Sequence, residues 1–418
     1  MRMGLRRKQP KQSVEPLPDW ADPVVGGKQV RMLQKHVRAL RDLSAHGNRD
    51  LFLDDVVVAH LLAFFNPTIR SLRTIEDFSQ TRQAQPHLSL RRLCKSTLSD
   101  FHRVADPTLL EPLIAQLHAA AVQQGGSRLP ADLPQTLGTV LAVDGSFFRV
   151  AADVAWAVSR ATNRGTKRAG ARLDLHLNVG TWLPAVIDVS GRETSEAAHA
   201  VQAIQAGAIH LYDRGIFSFE LVAAQQAAGA FFVHRLRELG EPSPRFTVES
   251  PRPLTAEDEA AGVSSDALGR LSGSSHRPAP DVVLREVVVQ SPCESGGMIR
   301  LLTNLLDIEA WVIALLYRKR WQVELFFRWL KCYANFAHLI SESRAGVRLT
   351  FYVAVIGVML MYLHSGVQPS KYAFSLLGIV ACGGATLEEI TPILAERERQ
   401  IARDKASLAR RRAKKTTT

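Results

Sequence analysis

The sequence predicts an α/β protein: a mixed sheet covered by helices, preceded by a helical region. Three observations carry that prediction. From Lys28 to about Gln123 the pattern is helical. After Pro130 come three runs rich in β-branched and apolar residues, Thr139–Val150, Ala171–Val179 and Thr181–Val189, which read as strands. Beyond them helix-type and strand-type segments alternate, as in chains that lay helices on the faces of a sheet.

Each element has a local reason. Residues 1–25 are basic and contain Pro, and read as a loose arm without the apolar run of a signal peptide. Leu51–Phe65 is largely apolar and is stopped by Asn66-Pro67. Ser71–Phe78 and Ser96–Val104 read as further short helices, with Ser96 or Ser99 as the cap of the second. Gly180 is placed to turn the second and third strand runs into a hairpin. Glu193–Gln205 reads as a helix, and Ala208–Tyr212 as a short strand that runs into Asp213-Arg214-Gly215. Phe217–Ala228 is a helix ended by Gly229, and Ala230–Leu236 another strand. Residues 240–280, rich in Pro, Ser, Gly and Glu, break the pattern; Val282–Gln290 and Met298–Thr303 follow as strands, so an insertion with its own strands is expected. From Asp307 the chain reads as helical to about Tyr362, and Glu396–Thr418 as a polar helix fading into a basic tail.

Composition narrows the function. The 418 residues suggest about two to three domains. Hydrophobic residues at 46% against 22% charged is the balance of a chain that folds around a core. The net charge of +12 favours an acidic partner, nucleic acid being the commonest. Basic residues recur in the N-terminal helical region (Arg70, Arg73, Arg82, Arg91, Arg92, Lys95 and Arg103), where DNA contact and an ordinary solvated face are both open. Cys94, Cys293, Cys332 and Cys382 form no CxxC pair, which removes a zinc ribbon and argues against a disulfide scaffold. Neither a GxxxxGKS loop nor a GxSxG elbow occurs, so neither ATP use nor a serine hydrolase is expected. Leu349–Leu363 is an uncharged run of 15 residues, short of the roughly 20 that span a bilayer, and reads as a buried helix.

The most informative stretch is Leu316–Lys331, LYRKRWQVELFFRWLK. Placed on one helix, Tyr317, Arg320, Glu324, Arg328 and Lys331 share an arc of about 80°, while most of the remaining circumference is apolar. Charged groups on a helix built for burial either pair with one another or line a cleft. Two aspartates end or interrupt apolar strands before Gly-containing turns, Asp144 in VLAVDGS and Asp213 in IHLYDRG. Either alone reads as a turn former. Together with Glu324 they make a set of three carboxylates near strand ends, where α/β sheets build their sites. Such oxygens suit magnesium, and two ions can serve in-line phosphoryl displacement.

The spacing of Tyr317, Arg320, Glu324 and Lys331 resembles the Tyr-Arg-Glu-Lys signature of bacterial DDE transposases of insertion sequence family four, and LLTNLLD at 301–307 is similar to the text preceding it there. The resemblance is strong over roughly residues 135–365 and loose over 30–125. It implies a ribonuclease H-like mixed sheet with flanking helices, interrupted by a β-rich insertion. The domains expected are a basic arm (1–25), a helical DNA-binding domain (26–130), a catalytic core (135–237 with 305–365), the insertion (238–304) and a helical C-terminal region with a basic tail (366–418). It further implies that Asp144, Asp213 and Glu324 bind two Mg2+ or Mn2+ ions, and that Tyr317, Arg320 and Lys331 contact phosphates. Arg328 and Trp321 border the same stripe as DNA contacts, Trp321 by stacking or by packing. The expected partners are the element's terminal inverted repeats and target DNA, bound by a homodimer in the bacterial cytoplasm at the nucleoid, with no membrane. The alternatives are a catalytically silent DNA-binding relative, or a structure-selective nuclease with the same core. His210 and His234 read as core or cleft histidines, His338 as a residue that could approach DNA, and Arg214 and Arg235 as phosphate contacts or ordinary surface residues.

Overall fold

The computed structural model describes residues 40–41, 51–66, 68–88, 90–126, 129–130, 132–149, 158–161, 167–191, 195–237, 244–274, 276–291, 297–332, 339–365, 372, 375–376, 379 and 384–416. The expected arm at 1–25, His338, Cys293 and Cys382 lie outside them. The chain forms two compact units, 1–99 with 376–418, and 100–375.

In the first unit, helix α1 (Leu53–Phe65) is buried all round, as its largely apolar sequence requires. Its first-turn Asp54 and Asp55 are held by Arg41, at 2.9 and 3.1 Å. It ends at Asn66, because the residue before a proline is driven out of the helical region. Helix α2 (Leu72–Ser79) starts at a capping box made by Ser71 and Thr74. Helix α3 (Lys95–Val104), whose residues from Asp100 on belong to the second unit, begins one residue earlier than expected, so Ser96 and Ser99 lie inside it rather than at its cap. At the C-terminus the helix Leu387–Thr416 takes in the basic run that was expected to trail off as a tail.

In the second unit, helix α4 (Glu111–Ala121) precedes the strands β1 (Val140–Arg149), β2 (Val158–Ala161), β3 (Lys167–Asn178) and β4 (Leu183–Ser190). Helix α5 (Glu196–Gln202), strand β5 (Ile209–Tyr212), helix α6 (Phe219–Ala227) and strand β6 (Phe231–Arg235) follow. The β3–β4 hairpin forms, but its left-handed residue is Trp182 (φ 59°) and not Gly180. A bulky residue there is strained, and ring contacts with Phe326 and Trp329 at 5.3 and 6.3 Å hold it. Gly229, φ +64°, follows α6 as the cap its position required.

Residues 240–280, expected as part of a β-rich insertion, hold strands that their composition did not place. They contain β7 (Arg245–Pro251), the short helix α7 (Ala256–Ala260) and β8 (Val263–Ser272), followed by β9 (Leu284–Gln290) and β10 (Met298–Thr303). Ladder pairing supplies the strand character that the Pro- and Ser-rich composition hid. All ten strands form one mixed sheet, in the order β2-β3-β1-β5-β6-β10-β9-β8-β7 with β4 beside β3. Among the described residues, β1–β5 and β5–β6 pair in parallel and the other ladders are antiparallel.

The stretch expected to be helical from 307 to 362 contains, among the described residues, α8 (Ala310–Lys319), α9 (Trp321–Cys332) and α10 (Arg344–Ser365), so the run Leu316–Lys331, placed on one helix from its period, is broken at Arg320. Helices α5 and α6 cover one face of the sheet over Val143, Tyr212 and Phe232. Helices α9 and α10 cover the other, with Phe148 against Phe351 at 4.6 Å. Helix α10 is longer than its uncharged run, long and apolar enough to cross a membrane by length and composition, but 83% of its most apolar window is buried inside the protein.

Candidate active site

The register of one strand pair brings two acids together. Val140, Leu141 and Ala142 of β1 lie beside Ile209, His210 and Leu211 of β5, in parallel. The same offset relates Asp144 to Asp213, so both reach the carboxyl end of the β1–β5 pairing, where loops leave a sheet and sites form. Asp213 follows the last residue of β5 and opens a turn whose Ile216 N–H donates to its carbonyl at 3.1 Å. Asp144 Oδ1 accepts from the Gly145 N–H at 2.9 Å. At Gly145 a Cβ would come within 2.9 Å of Asp174 Oδ1 and 3.0 Å of Glu196 Oε1 on the opposite face, so a larger residue there would have to displace those carboxylates.

Helices α8 and α9 supply the rest. The Tyr317 hydroxyl donates to Asp213 Oδ1 at 3.3 Å. At Arg320 the chain tightens: its N–H bonds Tyr317 O, and the Val323 N–H bonds Arg320 O, both at 3.1 Å and three residues apart. Arg320 Nη2 donates to Glu324 Oε1, and Nη1 stands 3.8 Å from Asp144 Oδ2. The charged arc therefore folds around one guanidinium from two helices, and both readings of it hold: the groups are ion-paired, and they line a cleft.

Farther along β1 the alternation of side chains puts Asp144, Ser146 and Phe148 on one face. Lys331 Nζ donates to Ser146 Oγ at 2.6 Å and sits 4.9 Å from the centroid of the Phe148 ring. Glu324 and Lys331 are seven residues apart, about 10 Å along a helix, and Asp144 and Ser146 are two residues apart, about 7 Å along the strand. Helix α9 thus runs along β1, with Glu324 beside Asp144 and Lys331 beside Ser146. A cleft of about 390 Å³ lies between them, lined by Asp144, Ser146, Glu324, Phe327, Arg328 and Lys331. Trp321 is 55% exposed and is not part of that lining.

Burial pushes the Asp144 carboxyl up to about 7, opposed by Arg320 and the Gly145 amide and reinforced by the charges of Glu324 and Asp213. Burial raises Tyr317 as well. Burial works against the charge of Arg320, but the pull of Tyr317, Asp213 and Glu324 outweighs it and holds the guanidinium protonated. Arg320 thus faces three acids, while its Nη1 has no hydrogen-bond partner. Hard carboxylate oxygens short of positive charge fit a divalent cation such as magnesium or manganese. As the side chains stand, Arg320 takes up Asp144 and Glu324, and among the described residues no three acidic, histidine or cysteine groups converge as a finished metal cage.

Two residues at this site were under-read. Ser146 stands in the DGS motif, but its partner is 185 residues away; the two-residue step from Asp144 was the one available signal. Arg235, at the end of β6, bonds Tyr317 and so belongs to the network rather than to an ordinary surface. Arg214 is exposed. His210 and His234 are core residues, stacked on either side of Tyr212 at 5.9 and 4.5 Å.

Residues 135–360 match the family described as a transposase DDE domain. A Sinorhizobium fredii protein named as a transposase, y4zB, is 31% identical over 210 residues, which is 49% of this chain and 55% of that protein. A protein of Geobacillus stearothermophilus, named as a transposase for insertion sequence element IS5377, is 26% identical over 197 residues, 47% of this chain and 49% of its own. The chain thus spans about half the length of each of these curated relatives. Among solved structures, a piggyBac transposase synaptic complex with hairpin DNA aligns at 13% identity with a TM-score of 0.36, over 86% of this chain and 80% of that one.

Proposed function

The chain belongs to the transposase DDE domain family, and from that premise we propose that it is a DNA transposase of an insertion sequence. It cuts DNA at the element's ends and joins them to target DNA. The observation that carries this reading is the meeting of Asp144, Asp213 and Glu324 around Arg320, beside a cleft edged by Ser146, Arg328 and Lys331. Both reactions are in-line displacements at phosphorus, first by water and then by the freed 3′ hydroxyl, so one site serves both. Asp144, Asp213 and Glu324 would hold two Mg2+ or Mn2+ ions, which supply the charge that activates the nucleophile and steadies the leaving oxygen. Arg320, through its unpartnered Nη1, and Tyr317 bind the phosphate at the acidic centre. Lys331 and Arg328 bind a phosphate farther along the cleft, and Trp321 offers an exposed ring for a base.

The finer assignment is to insertion sequence family four, on the Tyr317–Arg320–Glu324–Lys331 spacing. The core is read as ribonuclease H-like, supported by the antiparallel β4–β3–β1 run continued by two parallel strands. The helices before residue 130, with exposed Arg70, Arg73, Arg82 and Arg91, are assigned to DNA binding, and residues 238–304 are read as the family's β-rich insertion. The partners are the terminal repeats and target DNA, bound by a homodimer in the bacterial cytoplasm at the nucleoid.

The test is cleavage and joining of a labelled duplex bearing the element's own end, with magnesium, by the wild type and by Glu324→Gln. The wild type should yield joined product, and the variant should lose about a hundredfold or more of the cleavage rate while still binding DNA. Binding by both with cleavage by neither would make the protein a silent DNA-binding relative. Cleavage without joining would make it a nuclease.

A further inference from the structure

The loop that leads into α8, Asn304–Glu309, gives that helix no side-chain cap of its own. Glu309 occupies the N-cap position but makes no side-chain cap bond. The missing partner comes from the insertion: Asp258 Oδ1, on α7, accepts the Trp311 N–H at 2.7 Å. Asp258 is 4% exposed, and its other oxygen accepts from the Thr255 amide and hydroxyl at 3.0 and 2.9 Å, so the carboxylate is fixed before it reaches α8.

The carbonyls of the same loop are also taken by the insertion. Arg285 on β9, 1% exposed, donates through Nη1 to Leu305 O and Leu306 O at 3.3 Å each and to Ile308 O. Arg252 donates to Leu306 O at 2.5 Å. Asp266 on β8 holds Arg285 in a two-point contact, both bonds 2.7 Å, with Arg252 3.6 Å away. At the far end of α8, Arg318 donates to Ala261 O just past α7, at 2.9 Å. The helix that carries Tyr317 is therefore gripped at both ends by residues 252–285.

We propose that the insertion positions α8 for the reaction, and that Asp258 is the positioning residue through which it sets Tyr317 against Asp213. Asp258 touches neither substrate nor the reacting atoms; it acts through the helix. The proposal rests on the transposase reading for its activity arm only.

The experiment is amide hydrogen exchange on the full chain, beside single-turnover cleavage, for the wild type, Asp258→Ala, Asp258→Asn and Arg318→Ala. In Asp258→Ala, amides 310–319 should exchange about fivefold faster or more, the change expected for a lost helix cap, while β1 and β5 stay protected. Cleavage at saturating DNA should fall by a similar factor with DNA affinity unchanged. Asp258→Asn keeps an oxygen for the Trp311 amide and should recover most of both. Arg318→Ala, a change at an exposed residue, should loosen only the last turn; it decides the matter if Asp258→Ala fails to fold, because unchanged exchange there would then sink the proposal. Faster exchange confined to 255–260, or normal cleavage by a folded Asp258→Ala, would also overturn it. A wild type that never cuts DNA would instead overturn the transposase reading, and the exchange arm would still decide whether the insertion holds α8.

Discussion

Ser146 and Lys331 act as one unit. A serine hydroxyl 2.6 Å from an ammonium that also rests over the Phe148 ring fixes a side chain that is otherwise long and mobile. Removing the hydroxyl leaves the charge but frees its position. Ser146→Ala should therefore weaken binding of element-end DNA about threefold to tenfold, in keeping with about 1 kcal/mol for one net hydrogen bond. Ser146→Ala added to Lys331→Ala should cost nothing further. Fluorescence anisotropy in chelator, which separates binding from cleavage, measures both; additive losses would mean that the hydroxyl acts alone. Arg320 obeys the opposite logic. It stands against three acids, and it is paired with one from a strand and one from the helix that follows it. The signature spacing made Arg320 and Glu324 legible as an i,i+4 pair. Asp144 as their third member was not legible, since no sequence period joins residues 144 and 320.

At the scale of elements, α9 carries both the chemistry and the packing. Val323, Phe326, Phe327 and Leu330 are buried, Trp321 and Leu325 are exposed, and Glu324 and Lys331 line the cleft. The buried side anchors the working side, with Phe326 fully buried against the strained Trp182. Phe326→Ala should cost about 3–5 kcal/mol, read as a shift in the urea midpoint. A loss below about 1 kcal/mol would mean that α9 is not held by this contact. The break between α8 and α9 has no Pro or Gly to announce it, which is why the apolar period alone suggested one helix. The insertion strands were hidden for a related reason. Edge strand β7 is mostly exposed, so its sequence has no apolar alternation to read.

Over the whole molecule, buried histidines set a pH limit. Burial lowers His60 to about 4, His210 to about 4 and His234 to about 3, and puts His176 well below its ordinary value. Both ring nitrogens of His176 lack hydrogen-bond partners. In the unfolded chain these groups take up a proton as the pH falls through about 6.5, while in the folded protein they do not. Their contribution is therefore fully present above about 6.5 and is lost as the pH falls toward 4, by up to about 1.4 kcal/mol per histidine per pH unit. Urea midpoints at pH 7.5 and 5.0 should show a clear drop at the lower pH; equal midpoints would mean that these histidines are not buried in solution. His60 lies in one compact unit and the other three in the second, so both units should weaken.

The sequence by itself determined the class of the fold, most of the strands of the sheet, the aspartate within β1 and the one just after β5, and the charged arc from Tyr317 to Lys331. These depend on periods and turn residues only a few positions apart, which local sterics and burial can read. The tertiary structure alone decided the break at Arg320, the seating of Lys331 on Ser146, the addition of the insertion strands to the central sheet and the cap that Asp258 lends to α8. Each joins residues from separate segments, 185 apart for Lys331 and Ser146 and 53 apart for Asp258 and Trp311, and only the packing of the sheet against its helices brings such groups within a hydrogen bond.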